Sequence, residues 1–163
     1  MREFARTTLI WVLVAFLGET VLAPMIDIRG IAPDFAVIAL VILALAAGSM
    51  PATAAGFLIG LVQDLSNPTL LGLHALCKCG LGFGLGRLRG RLVYGMPVVE
   101  SVVLVLAVLT HDLVFLLVQN GFGGQGSLGS FFLQSLPVAV YTGVVGLPVL
   151  RAAEFLGILQ PEE

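Results

Sequence analysis

A few ionisable side chains interrupt otherwise apolar runs, and any chemistry this chain performs would have to reside in them. His111 and Asp112 form an adjacent acid–base couple. Consecutive residues on a helix are about 100° apart, however, so the two side chains are expected on different faces. The second histidine, His74, lies in a separate run, and no serine sits in a G-x-S-x-G elbow. Intramembrane peptidases need a Ser/His pair, a carboxylate dyad or an H-E-x-x-H metal site, and none is spelled here. Cys77 and Cys79 are spaced C-x-C, which puts them about 200° apart on a helix, and a metal site would need further Cys or His ligands at matching depth. The run GLGFGLG from Gly80 to Gly86 lacks the G-x-G-x-x-G spacing of a dinucleotide fingerprint and has no strand before it. No catalytic residue, metal ligand or cofactor is expected, and the chain does not read as an enzyme.

The elements that must position these residues are membrane elements. The 163 residues are 58% hydrophobic and 11% charged, with a mean hydropathy of +1.07, whereas a soluble domain is roughly 25% charged. Such a chain cannot cover itself with a polar surface, and its apolar runs recur along almost the whole length. Six stretches approach the roughly 20 residues that cross a hydrocarbon core: Thr7 to Pro24, Pro33 to Ala47, Pro51 to Leu65, Leu71 to Leu88, Pro97 to Gln119 and Ser130 to Leu150. The second and third are short, but Pro51 removes a backbone donor and disfavours helix at Met50, so a tight helical hairpin is expected there. The reading is a single polytopic domain over residues 1–163, an all-α integral membrane bundle of six transmembrane helices. Val21-Leu22-Ala23 imitates a signal-peptide cleavage site, but Pro24 argues against cleavage, and the first run is expected to be a retained signal anchor. Asn120 to Gly129, uncharged and Gly-rich, reads as a mobile outer loop.

Charge placement tests the count of six. Cytoplasmic loops carry the excess of Lys and Arg, and six spans starting inside put Arg2, Arg6, Arg87, Arg89, Arg91 and Arg151 in the cytoplasm, with only Arg29 outside. A five-span arrangement would place either the N-terminal arginines or the Arg87 to Arg91 cluster on the wrong side. Both termini are therefore expected in the cytoplasm, in a multi-pass inner-membrane protein. Arg87, Arg89 and Arg91 read as a basic anchor against membrane lipid, too small for a nucleic-acid footprint, and nucleic acid is not an expected partner.

Two groups of residues inside the spans need a reason. Gly56 and Gly60 form G-x-x-x-G in the third span, and Gly80, Gly82, Gly84 and Gly86 give two overlapping examples in the fourth. Small residues let backbones approach where lipid offers no hydrophobic drive. The expectation is close packing within the bundle or against a helix of another protein. A charge near the bilayer centre costs at least ~2.5 kcal/mol on insertion scales, so the polar cluster His74, Lys78 and Asp112 must be compensated. Counting about 1.5 Å per residue puts Lys78 and Asp112 at similar depth, about 10 Å below the outer surface, with Asp64 and His74 nearer it. Lys78 is expected to pair with Asp112 or Asp64. Glu19 and Asp34 are expected near the outer ends of their spans, and Glu100 at the cytoplasmic interface, within reach of the arginine cluster. A proton or solute path is the other use of such groups; no second set of carboxylates leads on to the cytoplasmic side.

The stretch from Pro33 to Arg91 carries a recognisable pattern. Pro33-Asp34 opens an apolar span, GFLIGLVQDLSNPTLLGLHAL runs from Gly56 to Leu76, and Gly86-Arg87-Leu88-Arg89 closes a helix. These features resemble the MreD family, most specifically Gly60-Leu61-Val62-Gln63-Asp64 followed by Leu71-Gly72-Leu73. The matching positions are Pro33, Asp34, Gly60, Gln63, Asp64, Gly72 and Leu73, to which the family assigns no catalysis. Ala46-Ala47-Gly48 departs from the basic residues often found after the second span, and Cys77-Lys78-Cys79 lies outside the pattern. The resemblance implies a non-enzymatic scaffold of the elongasome that binds MreC and supports lateral peptidoglycan synthesis and rod cell shape, with MreB, RodA and its penicillin-binding protein in the same complex. It also implies a fold like the six-helix substrate-binding components of energy-coupling-factor transporters. A small-solute, vitamin-type uptake component is the alternative, on the same six-span plan and polar cluster. Asp64 is expected to accept hydrogen bonds from the Ser66-Asn67-Pro68 turn or its neighbours rather than to titrate.

Overall fold

The computed structural model describes residues 2–66, 71–89, 96–121 and 128–158. Seven helices and one π-helical segment account for the regular structure among them: α1 (Arg2–Leu17), the π segment (Gly18–Leu22), α2 (Ala23–Met25), α3 (Phe35–Ala47), α4 (Ser49–Ser66), α5 (Leu73–Arg87), α6 (Pro97–Gly121) and α7 (Leu128–Phe155). α1, the π segment and α2 run on from one another as a single rod, so six rods coincide with the six apolar stretches of the sequence. Among the described residues three helical windows are long and apolar enough to cross a membrane: Thr8–Met25, Val98–Gly121 and Phe131–Phe155. Phe35–Ala47 is a shorter apolar helix.

α3 sits at the centre. Asp34 starts it, with extended backbone and a carboxylate that accepts from the Val37 N–H at 2.7 Å, satisfying one of the donors a helix N-terminus leaves open. Every residue from Phe35 to Leu45 is buried, as expected of a helix apolar on all sides. Its wall is supplied by α1, α4, α5, α6 and α7, which follow one another around it in the order of their contacts, α1 to α4, α4 to α5, α5 to α6 and α6 to α7.

Side-chain contacts fix the helix directions. Asp34 and Ile38 of α3 meet Thr142 and Gly146 of α7, and Asp34 and Leu40 meet Lys78 and Gly82 of α5, so these three run parallel. Gly143 packs on Val105 and Glu100 pairs with Arg151, so α6 runs against α7. One end of the bundle consequently gathers Glu19, Asp34, Asp64, His74, Lys78, His111 and Asp112, and the other gathers Arg87, Arg89 and Arg151.

The break between α3 and α4 falls at Gly48 rather than at Met50-Pro51. Gly48 adopts φ +87°, a conformation that favours glycine, and its N–H still bonds the Ala44 carbonyl at 3.0 Å. Pro51 lies in the first turn of α4, where a missing N–H costs nothing. The hairpin therefore forms, but through the glycine. α4 in turn makes with α5 the most extensive helix contact among the described residues. A Cβ added at Gly56 would strike the Lys78 backbone, at Gly60 the His74 and Ala75 backbone, at Gly82 the Ala52 carbonyl and at Gly86 the Ser49 backbone. These four positions allow main chain to rest on main chain. Gly80 and Gly84 are different: a Cβ there would meet nothing within 4 Å, because residues two apart on a helix point to nearly opposite sides. Only one of the two overlapping α5 motifs packs inside the bundle.

Candidate functional site

The polar end is held together by two clamps. In the first, Asp64, at the last turn of α4 and fully buried, accepts from the backbone N–H groups of Gly72 (2.9 Å) and Ala75 (3.0 Å) with Oδ2. Its Oδ1 accepts from the His74 N–H at 3.0 Å and lies 2.9 Å from His74 Nδ1. A carboxylate on one helix thus caps the open N-terminus of the next, where the helix dipole favours negative charge. The geometry needs Gly72, whose φ of +94° starts α5, and it seats Leu73 in the core at 6% exposure. The donors come from the start of α5; Asn67 and Pro68 of the turn lie outside the described residues.

In the second clamp, Lys78 is completely buried and its Nζ lies 3.4 Å from Asp34 Oδ2. This corrects the expected pairing with Asp112 or Asp64. α5 lies against α3 with Lys78 turned inward, and Asp34 is the carboxylate it meets. Asp34 also donates its own N–H to Thr142 Oγ1 at 3.0 Å, and that hydroxyl donates to the Val138 carbonyl at 2.7 Å. One residue therefore ties α3 to α5 and α7, while the preceding Pro33 is buried. Asp64 is occupied by α5, and Asp112 by its neighbour: His111 Nδ1 and Asp112 Oδ1 are 3.0 Å apart. The two side chains bend toward one another, contrary to the expectation that they point apart.

His111, 6% exposed, has an Nε2 without a hydrogen-bond partner among the described residues. Its ring centroid lies 6.2 Å from that of His74, and Phe115 lies 4.5 Å from His74 and 6.3 Å from His111. In the sequence the two histidines stand in separate apolar stretches, with no signal that they approach. Of the cluster His74, Lys78 and Asp112, then, the structure brings His74 and Asp112 together through His111, and turns Lys78 to Asp34. Glu19, at the π segment, joins this end through its Oε2, which accepts from the Ala36 N–H at 3.3 Å. Gln63 presents a buried Oε1 with no hydrogen-bond partner among the described residues. Among the described residues no group of three or more His, Cys, Asp or Glu side chains is arranged to hold a metal.

At the opposite end, Glu100 is 5% exposed and pairs with Arg151 at 3.0 Å. The expected approach of Glu100 to the arginine cluster includes Arg91, which lies outside the described residues. Arg87 and Arg89 are exposed, with the Arg87 guanidinium 5.0 Å from the Phe83 ring centroid and Arg89 against Gly48. Arg91 lies outside the described residues, as do residues 122–127 of the Asn120 to Gly129 loop.

A family model described as rod shape-determining protein MreD matches residues 2–150 of the 163-residue chain. No curated protein and no solved structure matches it.

Proposed function

We propose, because the chain belongs to the MreD family of rod shape-determining proteins, that it is a non-enzymatic membrane scaffold that binds MreC and supports lateral peptidoglycan synthesis and rod shape. The observation that carries the scaffold reading is that Asp64, Lys78 and Asp34 at the polar end are engaged in joining helices. Asp64 receives four donor contacts from α5, and Lys78 and Asp34 lock three helices together. Groups held this way define helix register, the role buried ionisable residues take when they do not conduct. MreB, RodA and its penicillin-binding protein are further partners on this reading.

The same proposal includes topology. Six rods run alternately through the inner membrane, with the arginine end and both termini in the cytoplasm, as the excess of arginine at that end favours. Their plan is that of the substrate-binding components of energy-coupling-factor transporters. Depletion in a rod-shaped bacterium tests the function directly. Loss of rod shape with MreC recovered alongside the tagged chain in detergent supports it. Normal shape with a new vitamin requirement overturns it in favour of solute uptake.

A further inference from the structure

A cavity of about 120 Å³ lies between the first rod, α3 and α4, walled by Val12, Phe16, Ile59 and Val62 and carrying Glu19 and Gln63. It presents the Glu19 carboxylate and the Gln63 carbonyl oxygen as acceptors. Lys78 and Asp34, the charged groups within electrostatic reach of Glu19, are already paired with each other. Two carboxylates thus share one ammonium, and Glu19 has no ion-pair partner of its own among the described residues. It accepts a long hydrogen bond from the Ala36 N–H at 3.3 Å, and the Phe35 N–H at the start of α3 also faces it. Gln63 adds an acceptor oxygen that no donor among the described residues reaches, and a buried acceptor left in that state costs about 1–3 kcal/mol. The Thr20 hydroxyl cannot serve either, since it donates to the Phe16 carbonyl at 2.7 Å. What the cavity lacks is a cation with N–H donors.

Three further observations say where that cation comes from. The Glu19 carboxylate stands on a π-helical turn, a rare local widening that recurs at functional sites. Phe16 and Leu17 are 48% and 57% exposed on the outside of the bundle, so the cavity's rim faces the lipid. Glu19 is six residues from Met25, about 9 Å from the end of the rod, within reach of a headgroup that enters from that end. The volume corresponds to about four waters at ~30 Å³ each, enough for an ammonium on a two-carbon arm and too small for a phosphate as well. We propose that this cleft binds the primary-ammonium headgroup of an aminophospholipid, with Glu19 as counter-ion, Gln63 as second acceptor and the phosphate left at the surface.

The site is independent of any contact with MreC, and it is tested with the purified full chain. Native mass spectrometry measures retention of phosphatidylethanolamine, phosphatidylcholine and phosphatidylglycerol with identical acyl chains. Phosphatidylcholine carries the positive charge without N–H donors, and phosphatidylglycerol lacks the cation. The expected result is one phosphatidylethanolamine retained at a concentration at least tenfold lower than either other lipid. Glu19→Gln, which keeps an acceptor for Ala36, brings it to the phosphatidylcholine level. Val62→Phe, which fills the cavity but leaves the carboxylate, does the same. Equal retention of the three lipids by the unaltered chain overturns the proposal, as does an unchanged preference in both variants. A lysine-bearing helix of a partner protein captured at Glu19, with no lipid preference, also overturns it.

Discussion

Lys78→Met removes an ammonium while keeping a side chain of similar length, and so isolates the charge that joins α5 to α3. At 3.4 Å and an effective dielectric of about 20, the Coulomb attraction of Lys78 to Asp34 is about 5 kcal/mol. Desolvation of both groups opposes it, and the net worth of the pair is smaller. Deleting one partner is nevertheless expensive, typically about 3–5 kcal/mol, because the other charge is left buried. Asp34 keeps the Val37 N–H and the favourable end of the α3 dipole, which puts the expected loss near the lower bound. About 3 kcal/mol is roughly a 150-fold fall in the folded-to-unfolded ratio. Unfolding in mixed micelles titrated with sodium dodecyl sulfate reads that ratio directly. Adding Asp34→Asn to Lys78→Met should recover at least half of the loss, while adding Asp112→Asn or Asp64→Asn should recover none. Recovery by Asp112→Asn, with none by Asp34→Asn, would refute the pairing on which the account of this end of the bundle rests.

The glycine contacts predict an asymmetry on one helix: Gly82→Leu should prevent recovery of folded protein from the membrane, whereas Gly84→Ala, on the open side of α5, should be neutral or stabilising by up to about 1 kcal/mol, read by the same titration. Asp64→Asn replaces one acceptor oxygen by an NH₂ group that faces backbone donors; it should lower stability by about 1–3 kcal/mol. Unchanged unfolding in that variant would mean that the α4–α5 cap contributes little. In a cysteine-free background, Arg89→Cys and Glu154→Cys should be shielded from an impermeant thiol reagent in intact cells and Asp27→Cys should react. Labelling of Arg89→Cys from outside would reverse the proposed orientation.

How much of this was legible in the sequence depended on whether the information is one-dimensional. Helix limits are, since they follow from apolar runs, prolines and glycines, and the stretches drawn from them fall on the helices within a few residues. Azimuth is not. Counting residues put Lys78 and Asp112 at similar depth, with Asp64 nearer the outer surface, but carried no information on which helix Lys78 turned toward, and so it missed Asp34. The same blindness spread significance over all of Gly80, Gly82, Gly84 and Gly86, although a two-residue spacing necessarily sends alternate members to opposite sides. The π segment at Gly18–Leu22 left no trace in an apolar pattern whose period it shifts by a single residue. His74 and His111 were separated by sequence and joined only by the lateral order of α5 and α6.

That lateral order also resolves a tension over length. α3 has 13 residues, about 20 Å of helix, against roughly 30 Å of hydrocarbon, and on length alone it would not count as a span. The requirement applies to a helix whose backbone ends would otherwise be bare in lipid. α3 meets no such condition, because five helices wall it from Phe35 to Leu45 and its two ends are capped inside the protein. Asp34 closes the N-terminal end and Gly48, whose N–H bonds Ala44, turns the C-terminal end into α4. A short helix can therefore occupy the centre of a proposed six-span bundle. The residues that make it possible are those that join it to its neighbours: Asp34 to Lys78 and Thr142 at one end, and Gly48 at the other. The ionisable residues at the polar end then have a reason to be there that does not require transport, since a central helix too short to reach both surfaces needs polar attachments where it stops.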